Sequence, residues 1–315
     1  MDGIRCEPRF RFVQYGTRRR RIQWRNGIVR YCLVLLVALT GMTAAGGGGT
    51  SYDFFDHQRG VFNGRRATLC ASGLVAVMGG FYLYTRPIYY DEPSVSFHLS
   101  RRADGRIGWF ENKHRGQDKF GHVYSTSLFT QNIYAMARWS GMDNRSASWS
   151  AALGGIAILM GMEVHDAYYE KWGFSMGDAV ANVIGGVWPV AQQNYAPLRY
   201  WDYKMSYDFN GGVSEDGAIE SYGNMTFWLS GNPRGVMGPR SPAWLPGWLN
   251  LAAGVGVTDR DYGPREWYLG LDLNLKSLPV AHPFGRHVLA LLDRFRLPLP
   301  AVRVYPDVTW YLAFW

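Results

Sequence analysis

The sequence lacks the cysteine patterns of zinc centres and of disulfide-rich secreted folds. It contains three cysteines among 315 residues, Cys6, Cys32 and Cys70, and none of them lies at a metal-binding spacing from another. It also has no glycine-rich phosphate loop, no nucleophile elbow and no metalloprotease helix motif. The sequence therefore predicts no cofactor, and any chemistry has to come from dispersed side chains.

The sequence also lacks the features of a nucleic-acid-binding protein, although its formal net charge is +8. There is no zinc-finger spacing, no recognition helix and no basic strip with interleaved aromatic residues. Many of the arginines precede the first apolar run and end at Arg30. We attribute this charge to targeting and orientation, and we expect no nucleic-acid partner.

Residues 1–45 have the layout of a signal peptide or an N-terminal anchor. The basic segment leads into an apolar run at residues 31–40, and the small residues Thr43 and Ala45 follow. This order predicts export with cleavage after Ala45. An uncleaved anchor is the alternative, but the run is shorter than the roughly 20 residues that span a bilayer. No cysteine follows the run where a lipobox would place one, so a lipid anchor is not predicted.

A second uncharged run points to a membrane. Residues 67–84, within a linker at 46–110, are long enough for one transmembrane helix. Aromatic residues make up 16% of the chain, with 13 Trp and 20 Tyr, and membrane interfaces favour such rings. A Trp-rich core is the alternative. We expect a membrane-associated protein of the bacterial cell envelope that contacts lipid, with other envelope proteins as further candidate partners. The choice between inner and outer membrane is undecided.

The middle of the chain, residues 111–195, predicts a helical core. Helical segments are expected at about 118–138, 146–169 and 176–193, with a loop or lid at 86–117 before them. Glycines in the second and third segments allow helices to pack closely. Pro189 is expected to kink or end the third helix.

The C-terminal region, residues 196–315, predicts a sheet. Residues 265–276 and 249–257 alternate between apolar and other side chains, as strands with one buried face do. Residues 222–230 and 308–315 are further candidate strands, and 285–297 predicts an amphipathic helix with Val288, Leu292 and Phe295 on one stripe. These strands are too few for a closed transmembrane barrel of eight. The predicted fold is α+β: a membrane-associated helical bundle followed by a small antiparallel β-rich part.

Polar residues recur at helical spacing in each central helix. Asp118 and His122 are four apart, as are Asp178 and Asn182, and such pairs share one helix face. If the helices bundle, these faces converge into a polar network formed by Asp118, Lys119, His122, Tyr124, Glu163, Asp166, Asp178 and Asn182.

Three roles for this network are open. The first is structural: the side chains hydrogen-bond to one another and hold the helices together. The second is an acid–base site with the candidate catalytic residues His122, Asp118, Glu163 and Asp178. The third is a metal site with the candidate ligands Asp118, His122, Glu163, Asp166 and Asp178. Ser175 is expected to cap the third helix, so Asp178 also has a capping role.

These residues resemble a bacterial envelope family. The series begins with Asp118-Lys-Phe-Gly-His122, continues through Glu163, Asp166 and the segment Trp172 to Gly185, and reaches Tyr268-Leu-Gly-Leu-Asp-Leu273. It is similar to the YfiM-type family (domain of unknown function 2279) over about residues 107–315. The resemblance implies an exported envelope protein, sometimes a lipoprotein, although this chain lacks the lipobox cysteine.

A fainter similarity links Asp118-Lys119, His122 and the segment Asp178 to Asn182 with VanZ-like membrane proteins. Those are associated with glycopeptide resistance, and neither family supplies a catalytic residue. The sequence thus favours a structural or organising envelope protein, not an enzyme. The alternative is an enzyme or transporter that acts on a lipid or lipid-linked glycan through Asp118, His122, Glu163 and Asp178.

Overall fold

The chain divides into a helical half and a sheet half, as predicted. The computed structural model describes residues 61–101, 105–109, 115–209, 221–257 and 263–314. The predicted signal peptide or anchor at residues 1–45 lies outside these residues. Within them the helices come first and one antiparallel sheet follows, so the α+β prediction is confirmed.

Six α-helices are described, and the three in the middle lie where the sequence predicts helices. Their bounds are α1 Gly64–Tyr89, α2 Gln117–Trp139, α3 Asn144–Asp166, α4 Met176–Asn194, α5 Pro233–Met237 and α6 Pro283–Leu292. The side chains of Asn63, Asp143 and Ser175 accept hydrogen bonds from the first turns of α1, α3 and α4. These caps satisfy backbone N–H groups that have no partner within the helix and so fix where each helix begins.

Two prolines lie inside helices. Of the two outcomes predicted for Pro189, an end of the third helix is wrong, because α4 continues past it to Asn194, and a kink stays a prediction. Its ring is buried, and the packing of α4 against α2 and α3 offsets the one backbone hydrogen bond that a proline removes. Likewise α1 includes Pro87 and ends at Tyr89, so the predicted loop begins later than residue 86.

Glycines let α2, α3 and α4 approach one another closely. A Cβ atom added at Gly185 of α4 would lie 2.4 Å from the carbonyl oxygen of Val123 in α2. One added at Gly155 of α3 would lie 2.4 Å from Thr130 Oγ1 of α2. Both distances are far below van der Waals contact, so the predicted close helix packing requires residues without a side chain at these two positions.

The sheet is an antiparallel meander. Its six strands pair in chain order: β1 Trp201–Tyr207, β2 Met225–Gly231, β3 Leu249–Val257, β4 Arg265–Leu273, β5 Leu299–Tyr305 and β6 Thr309–Phe314.

The predicted amphipathic helix is shorter than expected. Helix α6 ends at Leu292, and the side chains of Val288 and Leu292 are exposed. Phe295 lies beyond the helix, after Asp293, whose carboxylate pairs with Lys204.

The exposed face of the sheet is largely apolar, whereas the buried face combines polar groups with a small apolar cluster around Trp228 and Tyr268. In register, Leu229, Ala253, Leu269, Val302 and Trp310 form a row across strands β2 to β6 on the outer face. The inner face instead buries Lys204, Ser230, Asn250 and Asp272. The predicted alternation of β3 and β4 is confirmed, but the side that is buried is the one that carries the polar groups.

Helix α2 joins the two halves. The side-chain amide of Gln117 donates to the carbonyl oxygens of Met225 in β2 and Val255 in β3. Tyr124 packs with Tyr222, Phe227 and Val255 in one core cluster. The first turns of α2, which carry half of the predicted polar network, are therefore fixed by the sheet at one end.

Candidate functional site

The predicted polar residues of the three central helices meet in one cluster, centred on Lys119. The Lys119 ammonium lies 2.7 Å from Asp118 Oδ2 and 2.9 Å from Asp178 Oδ1. It also lies 3.4 Å from the hydroxyl of Ser175, the residue that caps α4. The lysine thus links the first turn of α2 to the first turn of α4.

His122 lies one turn after Asp118 on α2 and faces two carboxylates. Its Nδ1 lies 3.0 Å from Asn182 Oδ1, and Asn182 Oδ1 also accepts a hydrogen bond from Thr126. Its Nε2 lies 3.5 Å from Glu163 Oε1 and 3.7 Å from Asp178 Oδ1. The ring is 16% exposed, so the cluster reaches the surface at this residue.

Glu163 brings α3 into the cluster. Its Oε2 accepts a hydrogen bond from the backbone N–H of Ser175 at 3.2 Å. Its side chain is almost completely buried. All three helices therefore contribute acidic or basic side chains to one buried cluster. The i, i+3 or i, i+4 spacing of the polar residues on each helix predicts this convergence.

Burial and neighbouring charge act in opposite directions on the ionisable groups. Burial lowers the pKa of Lys119, but the carboxylates of Asp118 and Asp178 outweigh it and hold that pKa above its usual value. Burial, with the nearby Asp178 and Asp166 carboxylates, raises the pKa of Glu163 to about 9. Lys119 is therefore charged at pH 7, whereas a Glu163 with that pKa carries its proton.

Two residues of the predicted network have other partners. Tyr124 is not part of the cluster, because its ring packs in the core between α2 and the sheet and its hydroxyl donates to the Arg294 carbonyl oxygen. Asp166 accepts a hydrogen bond from Tyr90, which follows α1. Burial raises the pKa of Asp166 to about 6, and the Tyr90 hydrogen bond opposes that shift. Asp166 thus lies beside the cluster rather than at its centre.

Sequence reasoning missed two groups of polar residues. Thr126, four residues after His122, orients Asn182, and the i, i+4 spacing was the signal for it. On the inner face of the sheet, Lys204 pairs with Asp272 and Asp293 at 2.8 and 2.9 Å. No local pattern identifies that network, because its members lie on strands and loops far apart in sequence.

The cluster has the residues for acid–base chemistry or for binding a cation. One atom each from His122, Glu163 and Asp178 lie within 4.8 Å of one another. A histidine nitrogen between two carboxylates is able to exchange protons. The imidazole and the two carboxylates together are also ligands of the type that divalent cations bind.

The cluster lies in a part of the chain that matches the model of a protein family. Residues 107–192 match the model of a family described as a predicted periplasmic lipoprotein, domain of unknown function 2279. The matched region spans α2 to α4 except for the last residues of α4, and so contains every member of the cluster. No curated protein and no solved structure matches the chain.

The family match agrees with the location that the sequence predicts. A periplasmic lipoprotein family is a family of the bacterial cell envelope, and the chain is assigned to a membrane-associated place in that envelope. The match also agrees with the resemblance to the domain of unknown function 2279 over residues 107–192, and the predicted extension of that resemblance to residue 315 stays a prediction. The YfiM-type name and the VanZ similarity stay predictions.

Proposed function

We propose that the chain has a structural or organising role in the bacterial cell envelope, and that its polar cluster serves chiefly to hold the helical unit together. The observation that carries this proposal is the position of the Lys119 ammonium, which contacts Asp118, Asp178 and Ser175 at once. Removing such a buried cation leaves two buried carboxylates without a partner, which is strongly destabilising. A group bound this firmly fits a structural role better than a reactive one.

We further propose that the partner of this protein is membrane lipid. Two described helices, α1 and α3, are long and apolar enough to cross a bilayer by length and composition alone. Only 6% of the most apolar stretch of α1 is buried, against 39% for α3, which packs within the bundle. At 1.5 Å per residue, the 26 residues of α1 reach about 39 Å, more than the roughly 30 Å hydrocarbon core of a bilayer.

The outer face of the sheet supports lipid contact independently of α1. Leu251 and Leu271 lie directly opposite each other on β3 and β4, and Leu269 belongs to the same exposed face. Apolar patches of this kind on a protein surface mark interaction sites. The free part of the outer face is therefore apolar, while the inner face buries ion pairs beside its own apolar cluster, and this exposed apolar area supports contact with lipid.

Vesicle flotation tests the proposed lipid contact of the sheet. The full chain is mixed with vesicles of phosphatidylethanolamine and phosphatidylglycerol, and the fraction that floats with them is measured. The double substitution Leu251→Gln with Leu269→Gln should lower that fraction, because both side chains are 54% exposed and their loss leaves the core intact. Val236→Gln is the control, since Val236 is 51% exposed on α5, outside the sheet. Equal flotation of both variants would argue against lipid contact by the sheet.

A second candidate function has its own supporting observation. His122 Nε2 lies 3.5 and 3.7 Å from two carboxylate oxygens, beyond good hydrogen-bond distance, and the ring reaches the surface. An imidazole held in this way is available to act as a base. The alternative function is therefore an enzyme or transporter acting on a lipid or a lipid-linked glycan.

A panel of variants matched for stability separates the two candidates. His122→Gln and Asp178→Asn are scored for abundance, for thermal unfolding in detergent and for envelope integrity in cells. Under the structural role, integrity falls only in parallel with stability and abundance. If a variant of normal stability and abundance loses envelope integrity, the structural role is wrong and the enzyme or transporter is favoured.

A further inference from the structure

We propose that His122, Glu163 and Asp178 bind one divalent cation of the zinc type at the centre of the helical bundle. The ligand atoms are His122 Nε2, Glu163 Oε1 and Asp178 Oδ1, one from each of α2, α3 and α4. One ligand atom from each of the three residues lies within 4.8 Å of the other two. The inference goes beyond the proposed function and does not depend on it, because a structural ion and a catalytic ion would use the same ligands.

The distances between the ligand atoms fit a shared ion better than they fit hydrogen bonds. His122 Nε2 lies 3.5 Å from Glu163 Oε1 and 3.7 Å from Asp178 Oδ1, whereas a charged N–H···O contact is normally about 2.7–2.9 Å. Zinc binds nitrogen and oxygen ligands at about 2.1 Å in a tetrahedron, which sets neighbouring ligand atoms roughly 3.4 Å apart. Both observed distances lie within a few tenths of an ångström of that value.

The imidazole is oriented as a metal ligand would be. Its Nδ1–H donates to Asn182 Oδ1 at 3.0 Å, and Thr126 holds the same oxygen from the other side at 3.0 Å. Metal-binding histidines generally donate their second ring nitrogen to a carbonyl or carboxylate oxygen, which fixes the ring and its tautomer. The Nε2 lone pair then points at the two carboxylates.

Each carboxylate is likewise held by one oxygen and offers the other. Glu163 Oε2 accepts from the Ser175 backbone at 3.2 Å, and Asp178 Oδ2 accepts from Lys119 at 3.0 Å. Asp178 Oδ1 is buried and accepts no hydrogen bond of good geometry, although the Lys119 ammonium lies 2.9 Å from it. A buried acceptor without a directed donor is uncommon in proteins, and this one faces the other two ligand atoms.

The charges of the cluster also favour a divalent ion. A bound metal ion requires its ligands to be deprotonated, so Glu163 gives up its proton on binding and His122 binds as neutral imidazole. The carboxylates of Asp118, Glu163 and Asp178 then face the single ammonium of Lys119, which leaves an excess of two negative charges. A buried net charge is unfavourable unless it is compensated. One divalent cation brings the cluster to neutrality, whereas the lysine alone does not.

Metal content tests this inference on the full chain. The protein is purified in detergent without chelator, stripped, and dialysed against Zn²⁺, and bound zinc is counted by elemental analysis. We expect about one zinc per chain. Replacement of the ion by Co²⁺ should give the intense visible absorption of a tetrahedral site. Glu163→Gln keeps the shape of the side chain but removes an anionic ligand, and it should weaken zinc binding by more than about 10-fold.

The matched control is Asp166→Asn, which removes a carboxylate from the same helix but outside the three ligand atoms. It should retain zinc close to the level of the unmodified chain, provided that circular dichroism confirms that both variants are folded. If Glu163→Gln is not folded, His122→Gln replaces it in the comparison. A folded unmodified chain without stoichiometric zinc, or equal zinc retention in the ligand variant and in Asp166→Asn, would overturn the inference.

Discussion

The Lys204 ammonium and the Asp272 carboxylate form an ion pair 2.8 Å apart, and both side chains are only 1% exposed. The pair lies on the inner face of the sheet, with Asp293 2.9 Å from the same ammonium. Ser230 donates to Asp272, and Asn250 donates to Ser230. The inner layer of the C-terminal half thus contains a polar network that crosses four strands, beside a small apolar cluster around Trp228 and Tyr268.

The first prediction concerns the cation of this network. Lys204→Met should destabilise the protein by about 3–5 kcal/mol, because the buried Asp272 loses its ion-pair partner and Asp293 keeps only the Lys276 ammonium, 3.4 Å from its Oδ2. The measurement is denaturant-induced unfolding in detergent, followed by tryptophan fluorescence, since Trp228 lies on the same inner face. Lys276→Met is the control. Lys276 is 28% exposed, and its removal leaves Lys204 beside Asp293, so a loss as large as that of Lys204→Met would contradict the prediction.

The second prediction concerns pH. Burial alone would raise the pKa of Asp202, but the ammonium groups of Lys276 and Lys204 outweigh it and hold that pKa below the usual value. A carboxyl group whose pKa is lowered by folding adds stability above its unfolded pKa, near 3.8, and that stability is lost as the pH falls further. Acid should therefore loosen the sheet below about pH 4.

Lys276→Met tests this dependence. The substitution removes the ammonium that lies 2.6 Å from Asp202, so the pKa of Asp202 rises and acid unfolding should begin at a higher pH. Fluorescence during acid titration provides the measurement. Lys171→Met, which removes an exposed lysine far from the sheet, should leave the titration curve unchanged. Superimposable curves for the unmodified chain and Lys276→Met would show that the pair does not set acid stability.

The sequence predicts the helices well because each has local signals. Apolar spacing marks α2, α3 and α4, and Ser175 marks the beginning of α4 by a hydrogen bond that spans only three residues. The meeting of Asp118, His122, Glu163 and Asp178 follows from the same periodicity, since each faces inward from its own helix. The exclusion of Tyr124 follows from it too: Tyr124 lies two residues after His122, about half a turn round α2, and so faces the sheet.

The sheet is predicted less completely because its decisive contacts are not local. Strand periodicity identifies β3 and β4, yet periodicity alone does not say which of the two faces is buried. That choice depends on Lys204, Asp272 and Asp293, which come from β1, β4 and the turn after α6. Strand β1 itself carries Lys204 at an inward position, and a lysine there argues against a buried strand until its partners are known.

The third prediction concerns the close packing of the helices. Gly185→Ala should cost about 1–3 kcal/mol, because the new Cβ would lie 2.4 Å from the backbone oxygen of Val123, which has no room to move. Gly161→Ala is a matched control in α3. No atom lies within 4 Å of its Cβ position, so the change should stabilise the helix by up to about 1 kcal/mol. Thermal unfolding of both variants in the same detergent gives the comparison, and destabilisation by both would contradict the packing argument.

The fourth prediction concerns Arg296, whose guanidinium packs on the inner face of the sheet beside Trp228. It lies 4.1 Å from the centre of the Trp228 ring. Its Nη2 donates to the carbonyl oxygens of Leu271 and Leu299 at 3.0 and 3.1 Å, and its Nη1 donates to that of Phe314 at 3.1 Å. The planar fork of an arginine reaches several acceptors from one position, whereas a lysine supplies one compact ammonium group.

Arg296→Lys should therefore destabilise the protein by about 2 kcal/mol or more, although the charge is kept, because buried carbonyl groups lose their donors. Arg303→Lys is the control that keeps charge in the same way. Arg303 bonds chiefly to the side chains of Glu266 and Thr309, and a lysine ammonium preserves the ion pair with Glu266, so the loss should be smaller. Denaturant unfolding measures both. If the two variants lose equal stability, the positive charge and not the geometry of the guanidinium supports the inner layer, and the network would tolerate any cation at this position.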